Sequence, residues 1–321
     1  MSSDAPVASP CPAAAATVET VRFDALDGYP LGGLLFAPLD AAAPARHAIV
    51  FAAGGGVRAA VYRRFLAHLA GHGMPVLAFD YRGIGESRPR RLAGLVAGFE
   101  DWAELDAGAA IEWMRTRYPR AQLAGIGHSV GAVMIAAPSA ARHLMQIVCI
   151  APHTGYFGDY RWDLRWSMMT AWRLAVMLLV PCFGYFPARR LHLGEDLPAR
   201  IALQWSACTT PGFEAGLEHG DVQRGRSLLK QGAALRAPTL VLSFTDDPWS
   251  TDAGIRRFLH GYRNLLAVRR VVGPSDIGRR RIGHWGFFRR SAALSLWPLV
   301  VGFLSAPAGN ALPSGLHGQR P

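Results

Sequence analysis

The sequence of 321 residues has few features of metal, disulfide or membrane proteins. Its four cysteines form no C-x-x-C pair and have no zinc-ligand spacing, so no metal is expected, and a reducing cytoplasm is the simplest location. The N-terminus has no basic residues ahead of an apolar run, which argues against a secretory leader. The closest candidate for a membrane span, Leu174 to Phe186, is too short and is interrupted by Pro181 and Gly184.

Lysine is almost absent. The chain has 34 basic and 23 acidic residues and a formal charge of +11, but Lys230 is the single lysine and the other 33 basic residues are arginine. A basic solvated surface explains this balance, and an anionic partner is the alternative. Arginines do not alternate with aromatic residues, so a nucleic-acid groove is not expected. One cluster of arginines lies on both sides of His284 in the sequence: Arg269, Arg270, Arg279, Arg280, Arg281, Arg289 and Arg290.

Short apolar runs alternate with helical periods along most of the chain. Two strands joined by Asp27-Gly28 come first, and strand–helix repeats then continue to about Pro152. The repeats resume at Thr239, and a last helix is predicted from Phe288 to Leu304. This order predicts an α/β fold with a mostly parallel central sheet, an antiparallel start and flanking helices. Ligands in such sheets bind at the carboxyl ends of the strands.

The alternation stops between residues 153 and 235, where tryptophan, methionine and proline are frequent. We predict a helical cap at 153–235, inserted between two parts of one α/β core at 18–152 and 236–304. The aromatic and methionine side chains of the cap either form its own core or line an apolar pocket. The ends, residues 1–17 and 305–321, are predicted to be disordered from their composition.

The motif Gly127-His128-Ser129-Val130-Gly131 ends an apolar run and opens an Ala-rich helical pattern. A serine between two glycines at a strand–turn–helix junction is typical of the nucleophile elbow of an α/β-hydrolase. The turn strains the backbone at the serine, and the glycines remove Cβ atoms that would clash. Ser129 is therefore the predicted nucleophile.

The base that accepts the proton of Ser129 is predicted to be His284. A serine hydroxyl is a weak nucleophile until a neighbouring base takes this proton. The order Ser, Asp, His along the chain is that of α/β-hydrolases, and His284 follows a glycine in the last loop. His153, just past a strand, is the alternative base. His128 lies on the elbow, where its side chain should diverge from that of the serine.

The carboxylate that orients His284 is predicted in the segment SFTDDP, at the end of a strand. Asp247 is preferred because it opens a D-x-[apolar] pattern, Asp247-Pro248-Trp249, and this pattern just past a strand is the usual acid turn of α/β-hydrolases. The adjacent Asp246 is the first alternative. Asp159 and Asp163, which follow the preceding strand, are the others.

An oxyanion formed at Ser129 needs backbone N–H donors. One is predicted at Val130, directly after the nucleophile. The second is predicted in the turn Gly55-Gly56-Val57, at Gly56 or Val57, with a merely flexible loop as the alternative. The turn does not continue as G-K-[ST], so a nucleotide P-loop is not expected.

Four motifs, GHSVG, DYRGIGES, SFTDDP and IGHWGFF, together resemble the α/β-hydrolase superfamily, and more narrowly a group of bacterial proteins described only as predicted α/β-hydrolases. The resemblance covers about residues 19–304. It implies a serine hydrolase that uses no cofactor and acts on carboxylic esters or thioesters. Many members carry His-Gly before the oxyanion turn, whereas this chain has Ala-Ala-Gly-Gly-Gly, which leaves the second donor open.

Three functions are compatible with these residues. The first is a serine hydrolase that cleaves a small-molecule ester or thioester through an acyl-enzyme. The second is an acyltransferase or acyl-CoA thioesterase with the same triad, in which the arginines around His284 bind carrier phosphates. The third is a non-catalytic binding or membrane-surface protein, suggested by the basic charge and the Trp/Met-rich cap. The triad candidates favour the first.

Overall fold

The computed structural model describes residues 16–39, 45–211 and 220–306. The described residues contain these strands: β1 (Ala16–Asp24), β2 (Pro30–Pro38), β3 (His47–Ala52), β4 (Val76–Phe79), β5 (Gln122–His128), β6 (Gln146–Ile150), β7 (Tyr185–Phe186), β8 (Leu197–Pro198), β9 (Pro238–Phe244) and β10 (Leu266–Val272). Their α-helices are α1 (Arg63–Gly71), α2 (Gly108–Arg117), α3 (Gly131–Ala136), α4 (Trp162–Ser167), α5 (Arg173–Phe183), α6 (Ala199–Ser206), α7 (Val222–Ala234), α8 (Asp252–Gly261) and α9 (Trp297–Ser305).

Eight of these strands form one central sheet in the order β1-β2-β4-β3-β5-β6-β9-β10. Strand β2 runs antiparallel to β1 and β4, and the other neighbouring pairs are parallel. The tight turn between β1 and β2 contains Gly28, whose φ of 81° suits glycine. The predicted α/β fold with its antiparallel start and mostly parallel sheet is confirmed.

The middle strands of the sheet are buried. Strands β3 and β6 have no exposed position, as expected where helices cover both faces of a parallel sheet. Their sequences, HAIVFA and QIVCI, are accordingly almost continuous apolar runs. The carboxyl ends of β3, β5, β6 and β9 meet at one edge of the sheet, where the predicted functional residues follow.

Three details differ from the sequence prediction. The last helix, predicted to begin at Phe288, begins only at Trp297. Two short 3₁₀ turns, Gly286–Phe288 and Arg290–Ala292, precede it. Pro298 lies in its first turn, where proline is well tolerated. The region between β6 and β9 also contains the two-stranded pair β7–β8. Ala16 and Thr17 belong to β1, whereas the predicted disorder of 1–15 and 307–321 lies outside the described residues.

Helices α4 and α5 are joined by a π-helical turn, Met168–Trp172, into one helix over Trp162–Phe183, called the long helix below. Its 22 residues have a mean hydropathy of 1.4 in their most apolar window, of which 17% is buried. By length and composition alone this helix could cross a membrane, so the expectation that no such segment exists is corrected. Pro181 is accommodated inside the helix, and Gly184, with a φ of 73°, ends it.

Candidate active site

Ser129 lies at the sharp turn between β5 and α3 and has a φ of 60°, which is unusual for a residue with a side chain. A Cβ atom on Gly127 would lie 2.4 Å from Cα of Ala132, and one on Gly131 would lie 2.4 Å from the carbonyl oxygen of Ala52. Both positions therefore require glycine for steric reasons. The turn holds the serine at the carboxyl edge of the sheet.

His284 and Asp247 lie in a hydrogen-bonded row with Ser129. His284 Nε2 is 3.0 Å from Ser129 Oγ, and His284 Nδ1 is 2.8 Å from Asp247 Oδ2. Because an ionised carboxylate only accepts hydrogen bonds, Nδ1 of His284 carries the proton and Nε2 is free to accept one. The three side chains are buried.

The two adjacent aspartates hold different parts of the His284 loop. Asp247 contacts the imidazole, and its other oxygen, Oδ1, accepts the backbone N–H groups of Trp249 at 2.9 Å and Ser250 at 3.1 Å. Asp246 accepts the backbone N–H groups of Ile282 and Gly283, both at 2.9 Å. Asp247 thus orients the ring, and Asp246 positions the loop that carries it.

The remaining candidate acids are engaged elsewhere. Asp159 makes an ion pair with Arg257 at 2.6 Å, and Asp163 makes one with Arg161 at 2.6 Å. Burial alone would raise the pKa of Asp247, but the charge and hydrogen bond of His284 outweigh it, and the pKa lies below its usual value. Asp247 is therefore an anion at neutral pH.

His153 also contacts Ser129, on a second side. Its Nε2 is 2.9 Å from Ser129 Oγ, and its Nδ1 accepts the backbone N–H of Gly155 at 3.0 Å. Because Nδ1 is an acceptor, Nε2 carries the proton in the neutral ring and donates to Oγ. Burial and then the nearby charge of His284 lower the pKa of His153 to about 3, so the ring stays neutral. This geometry makes His153 a hydrogen-bond donor to Ser129 and unsuited to the role of base.

The backbone around His153 is held in place by the loop that carries Asp247 and Ser250. Ala151 has a φ of 49°, a strained value for a residue other than glycine. Ser250 Oγ donates to the carbonyl oxygen of Pro152 at 2.7 Å, and the N–H of Ser250 donates to Asp247. The segments carrying Asp247 and His153 are therefore fixed to each other.

His128 makes its hydrogen bonds away from Ser129. Its Nε2–H donates to the carbonyl oxygen of His284 at 3.1 Å, and Tyr62 Oη–H donates to its Nδ1 at 2.9 Å. Tyr62 Oη in turn accepts the N–H of Gly54 at 3.1 Å. Burial, followed by the charge of His284, keeps the pKa of His128 well below its usual value. One buried, neutral ring thus connects the glycine turn to the His284 loop.

The glycine turn after β3 corrects part of the oxyanion prediction. The N–H of Val57 donates to the carbonyl oxygen of Gly54 at 3.2 Å, so the turn itself uses this predicted donor. Gly56 lies against Leu197 across the cavity, since a Cβ atom on it would be 3.1 Å from Leu197 Cδ2. A Cβ atom on Gly55 would lie 3.3 Å from Val130 Cγ1. Gly55 therefore lies beside the side chain of Val130, the residue that follows Ser129.

A cavity of about 640 Å³ opens in front of Ser129, His153 and His284. This volume is within the range of small-molecule sites. Its lining is mostly apolar and comes from both the core and the residues after the long helix, with the large side chains Phe99, Trp102, Leu197, Ile201, Trp205 and Trp249. Thr154 also lines it, and its buried Oγ1 has no hydrogen-bond partner within the described residues.

Comparison with known proteins shows the family to which the chain belongs. The profile of a family described as "Serine aminopeptidase, S33" matches residues 43–265, which is more than half of the chain. The chain belongs to this family of α/β-hydrolases. No curated protein matches the sequence significantly.

Solved structures similar to this S33-family hydrolase include esterases and a peptidase. An esterase of Pyrococcus furiosus has a TM-score of 0.57 and 16% identity, covering 90% of this chain and 91% of that one. An esterase of Pyrobaculum calidifontis has a TM-score of 0.54 and 17% identity, with coverage of 89% and 84%. An acylaminoacyl peptidase of Pyrococcus horikoshii has a TM-score of 0.53 and 16% identity, with coverage of 90% and 41%. At these identities the similarity establishes the fold.

The arginine cluster of this S33-family hydrolase does not line the cavity. Among the described residues that line the cavity, Arg58 is the one arginine. Its Nε is 3.2 Å from the carboxylate of Glu195. Arg269, by contrast, pairs with Asp252 on α8. Closeness to His284 in the sequence therefore does not place these arginines in the cavity. Within residues 16–39, 45–211 and 220–306, no cluster of His, Cys, Asp and Glu is arranged to hold a metal ion.

Proposed function

We propose that the protein hydrolyses a carboxylic ester or thioester with an apolar acyl group, through an acyl-enzyme on Ser129. The observation that carries this proposal is the row of hydrogen bonds Ser129 Oγ–His284–Asp247 at the floor of an apolar cavity. Such a row supplies a nucleophile, its base and the acid that orients the base.

In the first half of the reaction, Ser129 Oγ attacks the acyl carbon and its proton moves to His284 Nε2. The carbonyl oxygen becomes an oxyanion, which the N–H groups of Val130 and Gly55 stabilise. His284 then gives the proton to the leaving oxygen or sulfur, and the alcohol or thiol departs. The acyl group remains as an ester of Ser129.

In the second half, a water molecule attacks the acyl carbon while His284 takes one of its protons. Collapse of the second oxyanion breaks the bond to Ser129 Oγ, and the proton returns to this oxygen. The carboxylic acid leaves, and the enzyme regains its starting state. Asp247 stays ionised throughout and balances the charge of the imidazolium.

His153 sets the direction of the first proton transfer in this mechanism. Ser129 has one hydroxyl proton and two imidazole neighbours. Because Gly155 fixes the tautomer in which His153 Nε2 is a donor, the serine proton is directed to His284. The same N–H stabilises negative charge that develops on Oγ as the proton leaves.

The cavity is better suited to an ester with an apolar acyl group than to an aminopeptidase substrate, which carries a charged α-amino group. An α-ammonium group needs an unpaired carboxylate in the binding site. Among the described lining residues the carboxylate is Glu195, which is paired with both Arg58 and Arg189. The apolar surroundings instead suit an acyl chain.

The proposal is tested by treating the full chain with a fluorophosphonate and mapping the adduct. We expect Ser129 Oγ to displace fluoride, so that the label appears on the peptide containing Ser129 and ester hydrolysis stops in proportion to labelling. Heat-denatured protein and a Ser129→Ala variant should remain unlabelled. A label on another peptide, or unchanged turnover after full labelling, would contradict the proposal.

Substrate class is resolved by one panel of p-nitrophenyl esters and acyl-CoA thioesters of increasing chain length. For esters, kcat/KM should rise with chain length until the cavity is filled. Preference for acyl-CoA, with a KM that increases with salt, would instead support the thioesterase alternative.

Thr154→Val is expected to raise KM about fivefold for substrates with a polar group near the acyl carbon, with kcat little changed. The reason is that Oγ1 lines the cavity without a partner among described residues, and one hydrogen bond contributes about 1 kcal/mol. The midpoint of thermal unfolding should stay the same or rise, because a buried hydroxyl without a partner is removed.

The matched control is Thr239→Val, in which the hydroxyl is also buried but donates to Ala237 at 2.9 Å. This variant should lose about 1 kcal/mol of stability with KM unchanged. If Thr154→Val lowers stability as much as the control and leaves KM unchanged for every substrate, Thr154 has a structural role only.

A further inference from the structure

The long helix, Trp162–Phe183, has an inner face that packs on the rest of the protein. Met168, Val176 and Val180 are buried at positions that recur every four or eight residues. Between them, the ring of Trp172 lies 4.6 Å from that of Phe186, measured between centroids. The helix is thus attached along its length to the body of the protein.

The opposite face of this helix is apolar and exposed. A surface helix normally carries polar residues there. Here the exposed fractions are 74% for Trp162, 61% for Trp166, 59% for Leu174, 64% for Met177 and 59% for Leu178. We call these five residues the apolar face. Several large exposed apolar residues on one helix mark a candidate interaction site.

The charge around the apolar face is positive. Residues 161–193 contain five arginines and, as the only acidic residue, Asp163. Asp163 is paired with Arg161, and the guanidinium of Arg190 lies over the ring of Phe183. Arg165 and Arg173 are exposed on the helix itself. An apolar strip bordered by cations is complementary to an anionic lipid surface.

We propose that the apolar face docks on the surface of a bilayer that contains anionic lipid. The helix lies flat on the membrane and does not cross it, because its inner face is packed against the protein. Leu174, Met177 and Leu178 enter the acyl boundary, Trp162 and Trp166 lie at headgroup level, and the arginines contact lipid phosphates. Trp172, on the inner face of the helix, contacts Trp205, which lines the cavity, so the helix that carries the apolar face borders the cavity wall.

A second copy of the chain is a less suitable occupant. In a two-fold contact the same surface faces itself. Arg165 and Arg173 of one copy would then lie close to those of the other copy, and the single acidic residue of the segment, Asp163, is already paired with Arg161. The charge pattern therefore favours an anionic surface over self-association.

The test is flotation of the full chain with vesicles of neutral phosphatidylcholine and with vesicles containing one third phosphatidylglycerol. We expect binding to the anionic vesicles to exceed binding to neutral ones at least tenfold at low salt, and to decrease as salt is added. The variant Leu174→Glu/Met177→Glu should lose at least tenfold in anionic-vesicle binding.

The matched control is Met145→Glu/Leu266→Glu, which makes the same charge change. Both residues are about half exposed, and they lie at the amino ends of β6 and β10, the sheet edge opposite Ser129. This control should bind vesicles like the unchanged protein. Both variants should hydrolyse a water-soluble short-chain ester at the unchanged rate, so the docking proposal is tested separately from the proposed activity.

Absence of binding to anionic vesicles at low salt overturns the proposal, as does equal binding by the two double variants. A concentration-dependent dimer that only Leu174→Glu/Met177→Glu abolishes, without vesicle binding, would assign the apolar face to a second copy. If the unchanged protein binds anionic vesicles but hydrolyses no ester, the proposed function is contradicted and the docking proposal is still supported.

Discussion

Replacing Asp247 by asparagine is expected to lower kcat by about 10⁴-fold and to change KM little. Asp247 Oδ1 accepts two backbone N–H groups, so the single oxygen of asparagine must remain there. The amide NH₂ then faces His284 Nδ1 and forces this nitrogen to be the acceptor. The proton moves to Nε2, and His284 can no longer accept one from Ser129. Steady-state kinetics with the best ester of the panel measures this effect.

The neighbouring Asp246→Asn variant is the control. It loses one of two backbone hydrogen bonds that hold the His284 loop, because an amide offers one acceptor. Stability should fall by about 1 to 2 kcal/mol and kcat by less than tenfold. If both variants lose kcat equally, the importance of Asp247 is to hold the loop and not to orient the ring.

His153→Leu is expected to lower kcat by about 10²-fold, again with KM nearly unchanged. The variant removes the N–H that donates to Ser129 Oγ at 2.9 Å, and with it both the orientation of the hydroxyl and the stabilisation of charge on the oxygen. The rate of fluorophosphonate labelling should fall by the same factor, because it requires the same activation of Ser129.

His153→Gln separates a hydrogen-bonding role from a packing role. Its side-chain amide again offers an N–H near Oγ, so it should recover about tenfold of the lost kcat, whereas a packing role predicts no recovery. A pH series gives a second readout. Unfolded His153 takes up a proton below about pH 6.5 but the folded ring only near 3, so this residue reduces stability as pH falls between those values. His153→Leu should lack this contribution to acid sensitivity.

Much of the fold and of the candidate site could be predicted because the signals are local. Glycine is required at positions 127 and 131, on either side of Ser129, because the turn leaves no room for a Cβ atom at either one. Alternating strands and helices determine the parallel sheet in the same way. Chain order predicts His284 and Asp247, and the structure places His284 beside Ser129 and Asp247 beside His284.

The rest depends on contacts between distant residues. The role of His153 follows from the N–H of Gly155 and from the loop held by Ser250, 97 residues further along, which no local pattern reveals. The sequence predicts the N–H of Val57 as an oxyanion donor, but in the structure this N–H donates to the carbonyl oxygen of Gly54 and closes a turn. The H-x-G spacing of His153 and Gly155 is the one local signal that could have indicated a fixed tautomer.

Strands β6 and β9 are neighbours in the sheet although the chain between them includes the long helix and much of the cavity wall. The chain therefore leaves the sheet and returns to it at adjacent positions, so a segment of different length or composition can be grafted there without altering strand order. A graft must begin after Gly155, because this residue fixes the ring beside Ser129. Within that boundary, we expect an exchanged segment to alter the cavity wall while Ser129, His153 and His284 stay in place.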